Sequence, residues 1–244
     1  MLSNLFRNMP PITLNLLIIN VIMYGALLTV PWVYENFALY NIGSGKFQPH
    51  QLLTHIFMHS RTSFAHIFMN MFGLVMFGSV IEKQIGAKKF LILYFVSAIG
   101  ALALQLGLNY YDYYSVIKNY SANEMFEIQQ YVSTISFDKK YPSDLIPGME
   151  AVLANQNGMV GASGAIMGVL VAFAYYNPNT ELMLIFLPIP IKAKYFIPVY
   201  MLIELSMGVR NFQWDNIAHW AHLGGALAGF ILVSIWKKDR NSFY

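Results

Sequence analysis

Long apolar runs separated by short charged segments are the first pattern along this chain. The runs are Ile12–Val30, Phe64–Ile81, Phe90–Leu108, Ser163–Tyr176, Lys194–Gly208 and Ile217–Trp236. A helix that crosses a bilayer needs about 20 apolar residues, with a working range of about 17–25. Four of the runs meet that length, and the fourth and fifth fall short. Starting the fifth at Leu182 would put Pro188 and Pro190 inside a helix, where each removes a hydrogen bond and clashes with the preceding turn. Leu182–Pro190 therefore reads as a turn on the inner side. Ile12–Val30 is too long for the apolar core of a signal peptide and no small-residue cleavage site follows it, so it reads as the first span. Asn109–Val160 is the one long polar stretch, carrying seven tyrosines. Met125, Ile128, Val132 and Ile135 recur there at helical spacing. The stretch is either a tolerated loop insertion or an interfacial amphipathic helix close to the site described below.

Composition agrees with the pattern. Of 244 residues, 57% are hydrophobic and only 11% charged, against about 25% charged in a soluble domain. The net charge of +3 comes from 15 scattered basic residues, with no stripe that would track a nucleic acid. There is no cysteine, which removes disulfides, thiolate zinc sites, iron–sulfur clusters and thiol proteases. Lysine and arginine then set the orientation. With the N-terminus inside, the inner segments hold Arg7, Lys83, Lys88, Lys89, Lys192, Lys194, Lys237, Lys238 and Arg240. The short outer segments hold Lys46, Arg61 and Arg210, while Lys118, Lys139 and Lys140 sit in a long segment that the rule largely ignores. The expected architecture is one all-α membrane domain over residues 1–244. It has six transmembrane helices, both termini cytoplasmic, and residues 109–160 as an outward-facing insertion between helices three and four.

Against this apolar background, polar residues within the spans are costly and mark function. His55, His59, His66 and Asn70 run into the second span. Gly161-Ala162-Ser163-Gly164 opens the fourth, and Ala221-His222-Leu223-Gly224-Gly225 lies in the sixth, followed by Gly229. A lone serine in a membrane helix is usually packing material, but Ser163 stands at a helix N-terminus, where free N–H groups and the dipole favour developing negative charge. The fourteen residues from Ser163 to Tyr176 rise about 21 Å, short of a hydrocarbon core of about 30 Å. With Tyr175, Tyr176, Asn177 and Pro178 as an inner-surface anchor, the serine lies below the outer surface, in a cavity lined by protein.

His222 is the matching base, because a neutral imidazole can take the serine proton and return it to the leaving amine. Gly225 and Gly229 share its helix face, and Gly164 and Gly168 form a complementary pair on the fourth span, which lets the two helices pack closely. His66 and Asn70 are four residues apart on one face and supply donors for an oxyanion. A zinc reading of the histidines lacks HExxH and a nearby carboxylate, so His50, His55 and His59 read as loop-packing or hydrogen-bonding residues. Glu204, an acid near the outer end of the fifth span, either snorkels to the interface or binds a polar group where substrate enters.

With these residues in view, the chain resembles the rhomboid family of intramembrane serine proteases. The resemblance rests on THIFMHSRTSFAHIFMNMFG at Thr54–Gly73, GASGAIMG at Gly161–Gly168 and AHLGGALAG at Ala221–Gly229. It implies a six-helix fold with Ser163 as nucleophile and His222 as general base, a dyad that no aspartate completes. His66 and Asn70 fall on the family's oxyanion donors, joined by the Ser163 N–H. Glu82 falls on a family glutamate that ties down the first outer loop. Three departures stand out. Met167 replaces an aromatic residue often stacked on the catalytic histidine, a role its thioether could fill. His50-Gln51 replaces the common Trp-Arg pair of the first outer loop, and the insertion directly before Ser163 is unusual. The resemblance implies an enzyme that needs no cofactor or metal, whose partners are transmembrane substrates and the lipid bilayer. A bacterial plasma membrane is the expected location. An inactive client-binding relative would not need intact Ser163 and His222, and a transporter would be expected to carry an internal repeat.

Overall fold

The computed structural model describes residues 8–134, 141–184, 187–210, 215 and 217–241, the side chains at 155, 184, 187, 188 and 238–241 excepted. Arg7, Ile135, Lys139 and Lys140 lie outside the described residues. The protein is mostly helical: α1 (Pro11–Thr29), α2 (Val33–Phe37), α3 (Gln51–Thr54), α4 (Phe64–Gly73), α5 (Ser79–Ile85), α6 (Ala87–Ile117), α7 (Ala122–Ser133), α8 (Ile146–Asn155), α9 (Ser163–Tyr176), α10 (Ala193–Arg210) and α11 (His219–Asn241). A π-helical turn at Leu74–Gly78 joins α4 to α5. Four segments are long and apolar enough to cross a membrane, namely Pro11–Thr29, Phe64–Ile85, Ala87–Ile117 and His219–Lys237. The chain is an integral membrane protein.

Two compact units make up the fold. One contains 1–31, 56–105 and 160–244, and the other 32–55 and 106–159, so that the boundary falls inside α6. The first unit has a core of Leu74, Ile81, Phe90, Leu93, Tyr94, Val169, Ala172 and Val233. Its closest helix contacts are made where side chains are absent. A Cβ on Gly225 would run into the Gly164 carbonyl, and one on Gly229 would lie 2.6 Å from the Gly168 Cα. The complementary glycine pairs on α9 and α11 therefore meet as the spacing predicts. The sequence reading did not anticipate a third helix in this packing. Gly164 also faces Ala101 of α6, Gly168 faces Ser97, and a Cβ on Gly100 would lie 2.8 Å from the Gly224 carbonyl.

Two polar residues fasten α1. Glu82 accepts from the Ile12 N–H at 2.9 Å, the Thr13 N–H at 2.7 Å and the Thr13 hydroxyl at 2.8 Å. It thus satisfies donors that a helix start leaves free, and the loop-tying role implied by the resemblance gives way to a helix cap. At the other end Arg61 donates to the Leu27, Val30 and Pro31 carbonyls. The segment expected to be a turn at Leu182–Pro190 is a two-stranded antiparallel hairpin, β1 (Glu181–Leu184) with β2 (Leu187–Lys192), Glu181 facing Lys192. An apolar run that cannot continue as a helix through Pro188 and Pro190 pairs its two ends as strands instead.

In the second unit the stretch read as either a loop insertion or an amphipathic helix is helical over α7 and α8. Ser121 and Glu124 form a reciprocal capping box at the start of α7, which satisfies two donors at once. Ile128 is fully buried against Leu145, Met149 and Val152, with Met125, Val132, Tyr113 and Tyr120 packed around them. Within the same unit Leu39 and Met159 exchange backbone hydrogen bonds of 2.9 and 2.7 Å. Gln51 is buried and takes over the organisation of the first loop. Its Oε1 accepts from the Gln48 N–H at 3.0 Å and its Nε2 donates to the Lys46 carbonyl at 3.2 Å.

Candidate active site

Ser163 is the first residue of α9. The chain enters that helix through Gly161, whose φ of +132° is a conformation that side chains other than glycine rarely adopt. A Cβ there would lie 3.0 Å from His66 Nε2 and 3.6 Å from Ser163 Oγ. The missing side chain leaves open the space between the hydroxyl and the imidazole.

His222 lies in the first turn of α11, a helix start fastened to α6 by the Gln105 Oε1, which accepts from the Ala221 N–H at 3.2 Å. The glycine contacts of α9 with α11 hold the two helices close enough for His222 Nε2 to reach Ser163 Oγ at 2.8 Å. The histidine is buried, 7% exposed, so water competes little for this hydrogen bond.

His66, in the first turn of α4, accepts at Nδ1 from the Ser60 N–H at 3.3 Å. That leaves the ring proton on Nε2, the nitrogen beside Gly161. Asn70, one turn on, is buried, and its Nδ2 donates back to the His66 carbonyl at 2.8 Å. The structure thus gathers Ser163, His222 and His66 around Gly161, while Asn70 braces the turn that carries His66. His55 donates from Nδ1 to the Gln51 carbonyl at 2.9 Å, and His50 Nε2 pairs with the Asn36 carbonyl at 2.8 Å. His59 is fully buried with its ring centroid 5.2 Å from that of His66.

Three residues that the sequence reading missed, or assigned elsewhere, lie behind His222. Glu204 of α10 does not snorkel: it is 4% exposed and its Oε2 accepts from His222 Nδ1 at 2.9 Å and from His219 Nδ1 at 2.6 Å. His219 Nε2 in turn pairs with Asp215 Oδ2 at 2.8 Å. Asp215 is itself fixed by accepting from the Ile217 N–H at 2.9 Å. An acid that deep in an apolar run needs a partner, and that was the available signal; which histidine it meets depends on how α10 packs on α11. Among the described residues Glu204, His219 and His222 are the one place where three metal-ligating groups converge, within 4.8 Å of one another. Both Nδ1 atoms already point at one carboxylate oxygen, so an ion there would have to break the link to His222.

Comparison with known proteins shows which family the chain resembles. A family model described as Rhomboid domain matches residues 46–121 and 143–238. The chain is 25% identical over 224 residues to an uncharacterized mitochondrial rhomboid protein of Schizosaccharomyces pombe, covering 85% of this chain and 55% of that protein. It is 27% identical over 172 residues to mitochondrial Rhomboid protein 1 of Saccharomyces cerevisiae, covering 70% of this chain and 38% of that one. The chain therefore spans about half or less of the length of these curated relatives.

Proposed function

The chain belongs to the rhomboid family, and on that footing we propose that it is an intramembrane serine endopeptidase that cleaves transmembrane segments of other membrane proteins. The observation that carries this reading is the 2.8 Å hydrogen bond between Ser163 Oγ and His222 Nε2 at the start of α9. The hydroxyl proton passes to His222 as Ser163 attacks the scissile carbonyl. The resulting oxyanion takes hydrogen bonds from the Ser163 N–H, from His66 Nε2 and from the second N–H of the Asn70 amide. His222 then returns the proton to the leaving amine, and a water deprotonated by the same imidazole releases the acyl group. The chemistry needs no metal or cofactor.

Six crossings with both termini cytoplasmic complete this reading, with α9 and α10 as the shorter fourth and fifth spans. Residues 109–160 then belong to the outer side, from which water reaches Ser163. A substrate helix has to unwind locally, because an intact helix shields its carbonyls, so cleavage is expected at small, helix-destabilising residues. Both relatives are named as mitochondrial, which lends no support to the bacterial plasma membrane expected at the outset.

Labelling with a serine-reactive fluorophosphonate tests the assignment. Wild type is expected to label and Ser163→Ala to remain unlabelled, with His222→Ala slowed by at least about a hundredfold. Equal labelling of wild type and Ser163→Ala would refute it.

A further inference from the structure

A dyad leaves one nitrogen of its histidine unassigned, and here that nitrogen faces a carboxylate. We propose that Glu204 is a positioning residue that fixes the tautomer of His222 and stabilises its imidazolium, with His219 and Asp215 holding Glu204 in its ionised form; this rests on the reading of Ser163 and His222 as the catalytic pair. A carboxylate can only accept, so the 2.9 Å contact between Glu204 Oε2 and His222 Nδ1 places a hydrogen on Nδ1. Nε2 is then left with its lone pair facing Ser163 Oγ at 2.8 Å, the state a general base requires. Without such an acceptor the imidazole is free to take the opposite tautomer, which has no lone pair for the serine proton.

The same logic continues one residue back. His219 has a carboxylate oxygen on each ring nitrogen, Glu204 at 2.6 Å and Asp215 at 2.8 Å. With both carboxylates ionised, both contacts are hydrogen bonds only if both nitrogens carry hydrogen, which makes this ring an imidazolium. That cation keeps Glu204 charged in a buried place where a lone carboxylate would take up a proton. Asp215 and His219 cancel, and the remaining negative charge lies against His222. During acyl transfer the serine proton moves to Nε2 and on to the leaving amine, while the Nδ1 hydrogen stays on His222 and Glu204 stays ionised.

The arrangement comes from three separate parts of the chain. Glu204 projects from the middle of α10, His219 and His222 stand one turn apart on α11, and Asp215 lies in the segment before it. Among the described residues, Tyr200, one turn before Glu204, faces that carboxylate, and His66 lies near enough to His222 to feel its charge.

The test uses the purified full chain in liposomes with a transmembrane substrate, comparing wild type, Glu204→Gln, Glu204→Asp and His219→Gln. Replacing the buried carboxylate of a serine–histidine–aspartate triad by its amide costs about 10⁴ in kcat. Glu204→Gln is therefore expected to lose about 10²–10⁴ in kcat with KM within about twofold, and to move the acidic limb of the rate–pH profile to lower pH. Glu204→Asp should recover at least about tenfold of that loss, and His219→Gln should fall between wild type and Glu204→Gln. Rates are taken per folded molecule from a thermal melt, so a variant that merely unfolds does not score as a catalytic loss. A Glu204→Gln enzyme within about threefold of wild-type kcat, with an unmoved profile, overturns the proposal and leaves the Ser163–His222 reading standing. If wild type itself neither cleaves nor labels, that reading fails instead. Nitrogen-15 spectra of the His222 ring then decide the tautomer directly: Nδ1–H in wild type and loss of that preference in Glu204→Gln support the proposal, and the same tautomer in both refutes it.

Discussion

Gly161 concentrates several demands in one residue. Its backbone turns at φ +132°, a Cβ on it would lie 3.0 Å from His66 Nε2 and 3.6 Å from Ser163 Oγ, and it delivers the chain into the helix that Ser163 begins. Alanine would meet the backbone restriction, about 1–3 kcal/mol for a residue held in a sparsely populated region, and would also fill the space between Ser163 and His66 into which the proposed reaction brings a substrate carbonyl. Gly161→Ala is therefore expected to lower turnover by about 10²-fold or more, comparable to removing an oxyanion donor, while shifting the melting temperature by only a few degrees. A melting temperature that falls steeply while the folded fraction keeps full activity would contradict that assignment. The residues around Gly161 differ in how far the sequence announced them. Ser163 and His222 were legible because polar groups in an apolar run need a reason to be there. Glu204 raised the same question, but its answer lies on another helix, at His219 and His222, and sequence distance carries no record of that contact.

Helix contacts explain why the reading of α9 and α11 succeeded. Glycines at four-residue spacing announce a close approach whatever the partner, and Gly225 against Gly164 with Gly229 against Gly168 meet that expectation. A side chain on Gly225 would strike the Gly164 carbonyl, and His222 lies three residues away on the same helix. Gly225→Ala should thus destabilise the fold by about 1–3 kcal/mol, as overpacking does, and reduce activity further than stability by lengthening the Ser163–His222 contact. Gly107→Ala is the control, because nothing lies within 4 Å of a Cβ there; its melting temperature and activity should match wild type. Other elements were less legible for identifiable reasons. The helical spacing of Met125, Ile128 and Val132 was visible, yet nothing in it specified burial against Leu145, Met149 and Val152, contacts made between segments on either side of 135–140. The hairpin of β1 and β2 is hard to read from sequence because Pro188 and Pro190 speak against a helix without speaking for a strand.

At the scale of the molecule, charge is scarce enough that individual buried titrations set the response to acid. His55 is 4% exposed and His59 fully buried, and both lie between the α1 and α4 segments, outside the spans. Burial lowers each from 6.5 to about 4, and for His59 the neighbouring His66 adds to the effect. The folded chain therefore holds both rings neutral at a pH where the unfolded chain protonates them. The unfolded state binds more protons between about pH 6.5 and 4, so stability falls as the pH falls through that window. It is complete above 6.5, and below about 4 these two groups contribute no further loss. A displacement of that size amounts to up to about 3 kcal/mol for each histidine. Melting curves in detergent from pH 8 to pH 4 should fall below about 6.5, and the slope should flatten in His59→Gln and in His55→Gln even where the variants melt lower at neutral pH. The comparison is between slopes rather than between melting temperatures, because either variant also loses packing. Activity offers an independent control, since neither ring is part of the Ser163–His222 pair. A Glu204→Gln chain would change the acidic limb of turnover while keeping this thermal slope, and a His55→Gln chain would do the reverse. Should both variants keep the wild-type slope, the acid sensitivity would belong to other groups.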